Sequence, residues 1–143
     1  LTTNWISRHE AVPIIIDELN KLGYKTSSYE LYELPDSNRI IVDVYNRDND
    51  LGIVYNTGHF GSVKKEQRNT RTFNQDRFRS GGQLGKRENY DNLPDNIIVL
   101  QETWYWYQYR DGNTNDLLNK STILEVLRQD IRAFVKEFEN KKK

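Results

Sequence analysis

Ile40-Ile41-Val42-Asp43-Val44-Tyr45, then Asn46-Arg47-Asp48-Asn49-Asp50, then Leu51-Gly52-Ile53-Val54-Tyr55-Asn56: two runs rich in β-branched residues flank five polar ones. Branching at Cβ favours extended backbone, while Asn and Asp tolerate the dihedrals of a tight reversal. The stretch therefore predicts an antiparallel hairpin. A chain containing it must build a sheet, and the neighbouring segments decide what pairs with it and what covers it.

Upstream, residues 24–34 are rich in Tyr, Thr and Ser and stop at Pro35-Asp36-Ser37-Asn38, which reads as another strand and turn. Downstream, residues 97–109 give the longest strand signal, bounded by Leu93-Pro94-Asp95-Asn96 and by Arg110-Asp111-Gly112-Asn113. The ends read as helices. Ser7 and Glu10 have capping-box spacing, and Val12, Ile15, Ile16, Leu19 and Leu22 recur at helical intervals up to Gly23. Pro13 implies either a kink or a main helix that begins with it. Thr122 and Glu125 suggest a second capping box, followed by a stripe of Leu124, Leu127, Ile131, Phe134 and Phe138. That stripe, widened by Ile123, Val126 and Val135, suits a sheet surface better than a coiled-coil seam.

The expected fold is thus α+β: an antiparallel sheet of four to five strands with N- and C-terminal helices packed on one face. Residues 1–143 form a single domain, with a long basic, glycine-containing excursion over residues 57–96 between the third and last strands. The length suits one hydrophobic core, and 12% aromatic residues supply core material that disordered chains lack.

Composition removes several functional classes. With no cysteine there is no disulfide, thiolate nucleophile or cysteine-held metal. No run of apolar residues is long enough for a transmembrane segment, so a soluble chain is expected. Twenty-one basic and 21 acidic residues cancel, so any electrostatic recognition has to be local. A chain without methionine that begins at Leu1 reads as a processed form or one lacking its natural start, which leans the expected compartment toward extracytoplasmic.

Two features stand out as candidate sites. In residues 103–109, alternation puts Trp104 and Trp106 on one strand face and Tyr105, Tyr107 and Tyr109 on the other. This is a platform for rings or cations if exposed, and core if not. In the excursion, Arg68, Arg71, Arg77 and Arg79 interleave with Phe73 and Phe78, and residues 64–87 carry six positive charges in excess. Such a segment can grip a polyanion or an acidic protein surface, or simply be solvated. The acidic remainder of the chain argues against nucleic acid.

Catalytic signals are sparse. His9 and His59 are the only histidines, and His59 in the Gly58–Gly61 turn is the better-placed binding residue. A His–carboxylate site would need Glu30, Asp43 or Glu102 to converge on His59. Gly81-Gly82-Gln83-Leu84-Gly85-Lys86 lacks the glycine and hydroxyl of a phosphate loop. Asn46, Asp48 and Asp50 lack the following glutamate of a calcium loop. No cofactor is implied. The sequence therefore points first to a non-catalytic binding or assembly module that presents an aromatic strand and a basic loop to a protein or polymer partner. The alternatives are a carboxylate/His-dependent hydrolase or nuclease-like enzyme and a single-stranded nucleic-acid binder.

Overall fold

The computed structural model describes residues 2–57, 93–109 and 119–142. The first element is a strand that the sequence reading missed: β1 (Thr2–Trp5) is four residues of mostly polar character, with no alternation to detect. The first helix follows the capping signals. Ser7 Oγ accepts the Glu10 N–H at 3.2 Å, and the Glu10 carboxylate returns to the Ser7 N–H at 3.4 Å. From that box α1 (Arg8–Lys21) runs through Pro13 as one helix. Pro13 lies on the exposed side of the helix, and the main helix does not begin at the proline. The helix ends on Gly23 at φ 91°, with the Tyr24 N–H bonded to the Leu19 carbonyl and the Gly23 N–H to that of Asn20.

Next come β2 (Ser27–Glu33), β3 (Arg39–Asn46) and β4 (Leu51–Asn56), an antiparallel meander as expected. The Asn46–Asp50 reversal is closed by side chains: Asn46 Oδ1 accepts the Asn49 N–H at 2.8 Å, while its amide donates to the Lys25 carbonyl at 2.7 Å. Gly52 is required by space. A Cβ there would lie 2.6 Å from Ile97 Cδ1 and 2.8 Å from Val42 Cγ1.

Two expectations about the sheet need correction. The sheet is mixed, in the order β2-β3-β4-β5, because β5 (Ile97–Gln101) pairs parallel to β4, from Gly52↔Ile97 to Asn56↔Gln101. Residues 57–96 are enough chain to return to the starting end of β4, as a parallel neighbour demands; an antiparallel one would need only a tight turn. The strand expected over residues 97–109 is also not continuous. A 3₁₀ turn (Glu102–Trp104) interrupts it, and β6 (Trp106–Tyr109) pairs antiparallel with β1 in a separate two-stranded sheet, Trp5 against Trp106.

The last helix, α2 (Lys120–Lys141), starts two residues before the expected cap, because Asn119 Oδ1 accepts the Thr122 N–H at 2.9 Å. The two helices lie on one face of the main sheet, as expected. Val12, Ile15 and Leu19 of α1 and Leu127, Ile131 and Phe134 of α2 share a core cluster with Val44, Ile53, Tyr55, Ile98 and Leu100. A smaller cluster on the opposite face contains Leu34, Ile40, Val42, Val54, Leu93, Ile97 and Val99. The helices run parallel to each other: Lys120 pairs with Glu10, Arg128 with Asp17 and Glu18, and Arg132 with Glu18. No described helix is long and apolar enough to cross a membrane.

Candidate functional site

Because β2, β4 and β5 all run the same way, their carboxyl ends share one edge of the fold, and both helices begin there. Arg8, the first residue of α1, donates from Nη2 to the Tyr55 carbonyl near the end of β4 at 3.0 Å. Lys120, the first residue of α2, pairs with Glu10 and lies 5.8 Å from the centre of the Tyr107 ring. The Lys120 ammonium holds the Glu10 carboxyl below its ordinary range, and Glu10 in turn raises Lys120. Strand carboxyl ends capped by helix N-termini are where open α/β sheets place ligands.

Asp43 is the centre of this end. It is 3% exposed, accepts the Tyr55 N–H on Oδ2 at 2.6 Å, and faces Arg8 Nε across 3.4 Å. The carboxylate thus does what a ladder carbonyl would do, and the strand turns over around it. Val42 belongs to the cluster on the far face, whereas Val44, two residues on, belongs to the helix-side cluster. On β2 the register passes from Ser28↔Val44 to Glu30↔Val42, so Tyr29 faces Asp43 without a ladder pair, at φ 57°. Burial pushes the Asp43 carboxyl above its ordinary value, with the Tyr55 N–H and Arg8 pulling the other way. Tyr55 is driven well above its usual range by burial and by the nearby Glu102 and Glu10 charges; its hydroxyl donates to the Ile6 carbonyl at 2.6 Å.

Of the three carboxylates considered as catalytic, Asp43 and Glu102 come to this end and are buried. Glu30 lies on β2, in a 3.1 Å pair with Arg47. His59 and the basic and aromatic set Arg68, Arg71, Phe73, Arg77, Phe78 and Arg79 lie outside the described residues, as does the strand expected near residue 61. Among the described residues no three His, Asp or Glu side chains come together as a metal-binding set.

The aromatic run sits mostly in the core. Tyr105, Trp106 and Tyr107 are all buried although consecutive: Tyr105 and Tyr107 enter the helix-side core cluster while Trp106, between them, is buried outside that cluster, so both faces of this stretch are covered. The Tyr105 hydroxyl donates to Asp130 at 2.6 Å and its ring stacks 6.0 Å from Tyr55. Trp104 is half-buried, edge-on to Tyr105.

What sequence reasoning missed is an apolar surface on the outer strands. Leu31 and Ile41 are direct cross-strand partners and are 62% and 59% exposed; Tyr29, two residues before Leu31, is 58% exposed. Ile41 lies on the same side of β3 as Asp43, opposite Ile40 and Val42. The signal was present in the apolar residues of both strands, but the sequence reading placed these residues in strands without saying which side of them meets water. Comparison with protein-family models, with curated proteins and with solved structures finds no match for this chain.

Proposed function

We propose that this protein is a non-catalytic binding or assembly module that engages a protein partner through its outer strand pair, β2 and β3. The observation that supports this reading is the exposed Leu31–Ile41 pair with Tyr29 beside it, the large apolar side chains most open to water on the described sheet. Contiguous apolar surface at a sheet margin is a mark of interaction sites. Tyr29 adds a second argument. A non-glycine residue at φ 57° costs on the order of 1–2 kcal/mol, and retained backbone strain clusters at functional positions.

The carboxylate end of the fold favours a second reading, a carboxylate-dependent hydrolase, because Asp43 is a buried carboxyl with a raised pKa at the ends of parallel strands. Its oxygens, however, are already engaged by the Tyr55 N–H and Arg8, a structural use that accounts for its burial.

A photo-crosslinking residue at Leu31, with the same residue at the exposed Lys136 of α2 as control, tests the first reading in cells of the source organism. A discrete protein adduct from position 31 alone is the expected result. Equal labelling from both positions, or none from either, would sink it.

A further inference from the structure

Tyr55 is fastened at three points. Its hydroxyl donates to the Ile6 carbonyl at 2.6 Å, its carbonyl accepts from Arg8 Nη2 at 3.0 Å, and its N–H donates to Asp43 Oδ2 at 2.6 Å. Ile6 and Arg8 flank the Ser7 cap, so these bonds tie the start of α1 to the end of β4. The tie closes through the other oxygen of Asp43. Among the described residues Oδ1 meets one charged group, Arg8 Nε at 3.4 Å. Charge-assisted contacts are normally about 2.7–2.9 Å long, so this pair compensates poorly for a carboxylate that is 3% exposed. Arg8, by contrast, is 43% exposed and has a path to water.

We infer that Asp43 and Arg8 form an acid-released latch: ionised, Asp43 holds the guanidinium against β3 and β4; protonated, it keeps the Tyr55 N–H on Oδ2 and lets Arg8 swing to water. A proton on Oδ1 removes the attraction to the guanidinium, while the other oxygen still accepts the backbone N–H. The neighbouring charges are engaged elsewhere. Glu10 of α1 is paired with Lys120 of α2, His9 beside Arg8 is exposed, and Glu102 of the 3₁₀ turn acts with Glu10 on Tyr55. On β2, Tyr29 faces Asp43, and Glu30 is paired with Arg47. Arg8 is the one charged group that acts on the Asp43 carboxyl, and burial outweighs it, so the carboxyl titrates above its ordinary 3.8. The sign of the linkage makes this a switch within the fold and not a route to acid unfolding. A folded pKa above the unfolded one means that protonation favours the folded chain, so the latch opens in the native state as pH falls through the raised value.

The test is an NMR titration of the isotope-labelled whole chain from neutral pH into acid. It follows the Asp43 carboxyl carbon, the Arg8 Nε–Hε pair and the backbone amides. Expected are an Asp43 midpoint above 3.8, an Arg8 Nε resonance that moves with the same midpoint, and a Tyr55 amide that stays protected from exchange throughout. Arg8→Gln should raise the Asp43 midpoint further, and Asp43→Asn should leave Arg8 Nε at its acid position at every pH. Arg8 is exposed enough that Arg8→Gln keeps the fold, and it serves even where Asp43→Asn does not. An Asp43 midpoint at or below 3.8 would overturn the inference, as would an Arg8 signal indifferent to that titration or a midpoint unmoved by Arg8→Gln. Loss of Tyr55 amide protection together with the rest of the sheet would replace a local latch with acid unfolding, and would overturn it too.

Discussion

Replacing Arg128 and Arg132 together by Met should turn Glu18 from a stabilising group into a destabilising one and reverse its pH dependence. Glu18 is 2% exposed between the two helices, with Arg128 Nη1 at 2.6 Å from one carboxylate oxygen and Arg132 Nη1 at 2.7 Å from the other. Burial alone would push its pKa up. The two guanidinium groups outweigh that, so the carboxyl sits below its ordinary value of 4.5. Each pair is worth about 4 kcal/mol at a charge separation of about 4 Å and an effective dielectric of about 20, before desolvation. The arginine side chains are 29% and 43% exposed, which screens part of this. Removing one arginine should cost about 1.5–3 kcal/mol. Removing both leaves a buried charge with only Lys21 Nζ, 3.6 Å away, and should cost about 3–5 kcal/mol near neutral pH. Methionine keeps most of the apolar stem in place, which confines the change to charge.

The sign follows from linkage. In the wild type the lowered pKa gives stability that is fully present above the ordinary carboxylate value and is lost as pH falls through the folded value. In the double variant desolvation dominates, the folded pKa rises, and acidification stabilises instead. Urea unfolding at pH 7 and pH 5 should show the gap from wild type shrinking at the lower pH, with unchanged m-values. A gap below about 1 kcal/mol at pH 7, or one of equal size at both pH values, refutes the reasoning.

Asp43→Asn should have the opposite signature. The raised Asp43 pKa means wild-type stability declines as pH climbs from the ordinary carboxylate value through the raised one, so the variant should gain on wild type from acid to neutral pH in paired chemical melts. Gly52→Ala should lose about 1–3 kcal/mol, because the added methyl must displace both Ile97 and Val42; calorimetry reads it as a lowered Tm. A variant with Trp106 as its sole tryptophan, made with Trp5→Phe and Trp104→Phe, should emit at shorter wavelength than free tryptophan and resist acrylamide quenching, since that ring is 1% exposed. Easy quenching in a folded variant would return the ring to the surface.

Local chemistry was legible wherever one side chain answers one backbone need. The Ser7–Glu10 box, the Gly23 stop and the polar reversal after Asn46 all satisfy groups within a few residues. The meander was legible for the same reason, since tight turns force antiparallel neighbours. The candidate sites were less so. Asp43 looked like one polar residue in an apolar strand, and its value as a substitute ladder acceptor exists only once Tyr55 lies beside it. The run from Trp104 to Tyr107 promised two faces, and both turn out to be covered, while the 3₁₀ turn takes Trp104 out of the strand and sets it against the same cluster as Tyr105.

Determined by the sequence alone were the Ser7 cap and Gly23 stop of α1, the β2–β3–β4 hairpins, the helix-side stripe of α2 and the absence of cysteine chemistry, because each depends on neighbours in the chain or on composition. Only the tertiary structure decided that β5 runs parallel to β4, that β1 and β6 leave to form their own sheet, and that Leu31 and Ile41 stay exposed while Trp106 is buried. Periodicity tells an apolar residue which side of its own strand it occupies. Whether that side meets a helix, a second strand layer or water depends on partners far away in sequence, and here the helices cover the β4–β5 side of the sheet and leave the outer strands open.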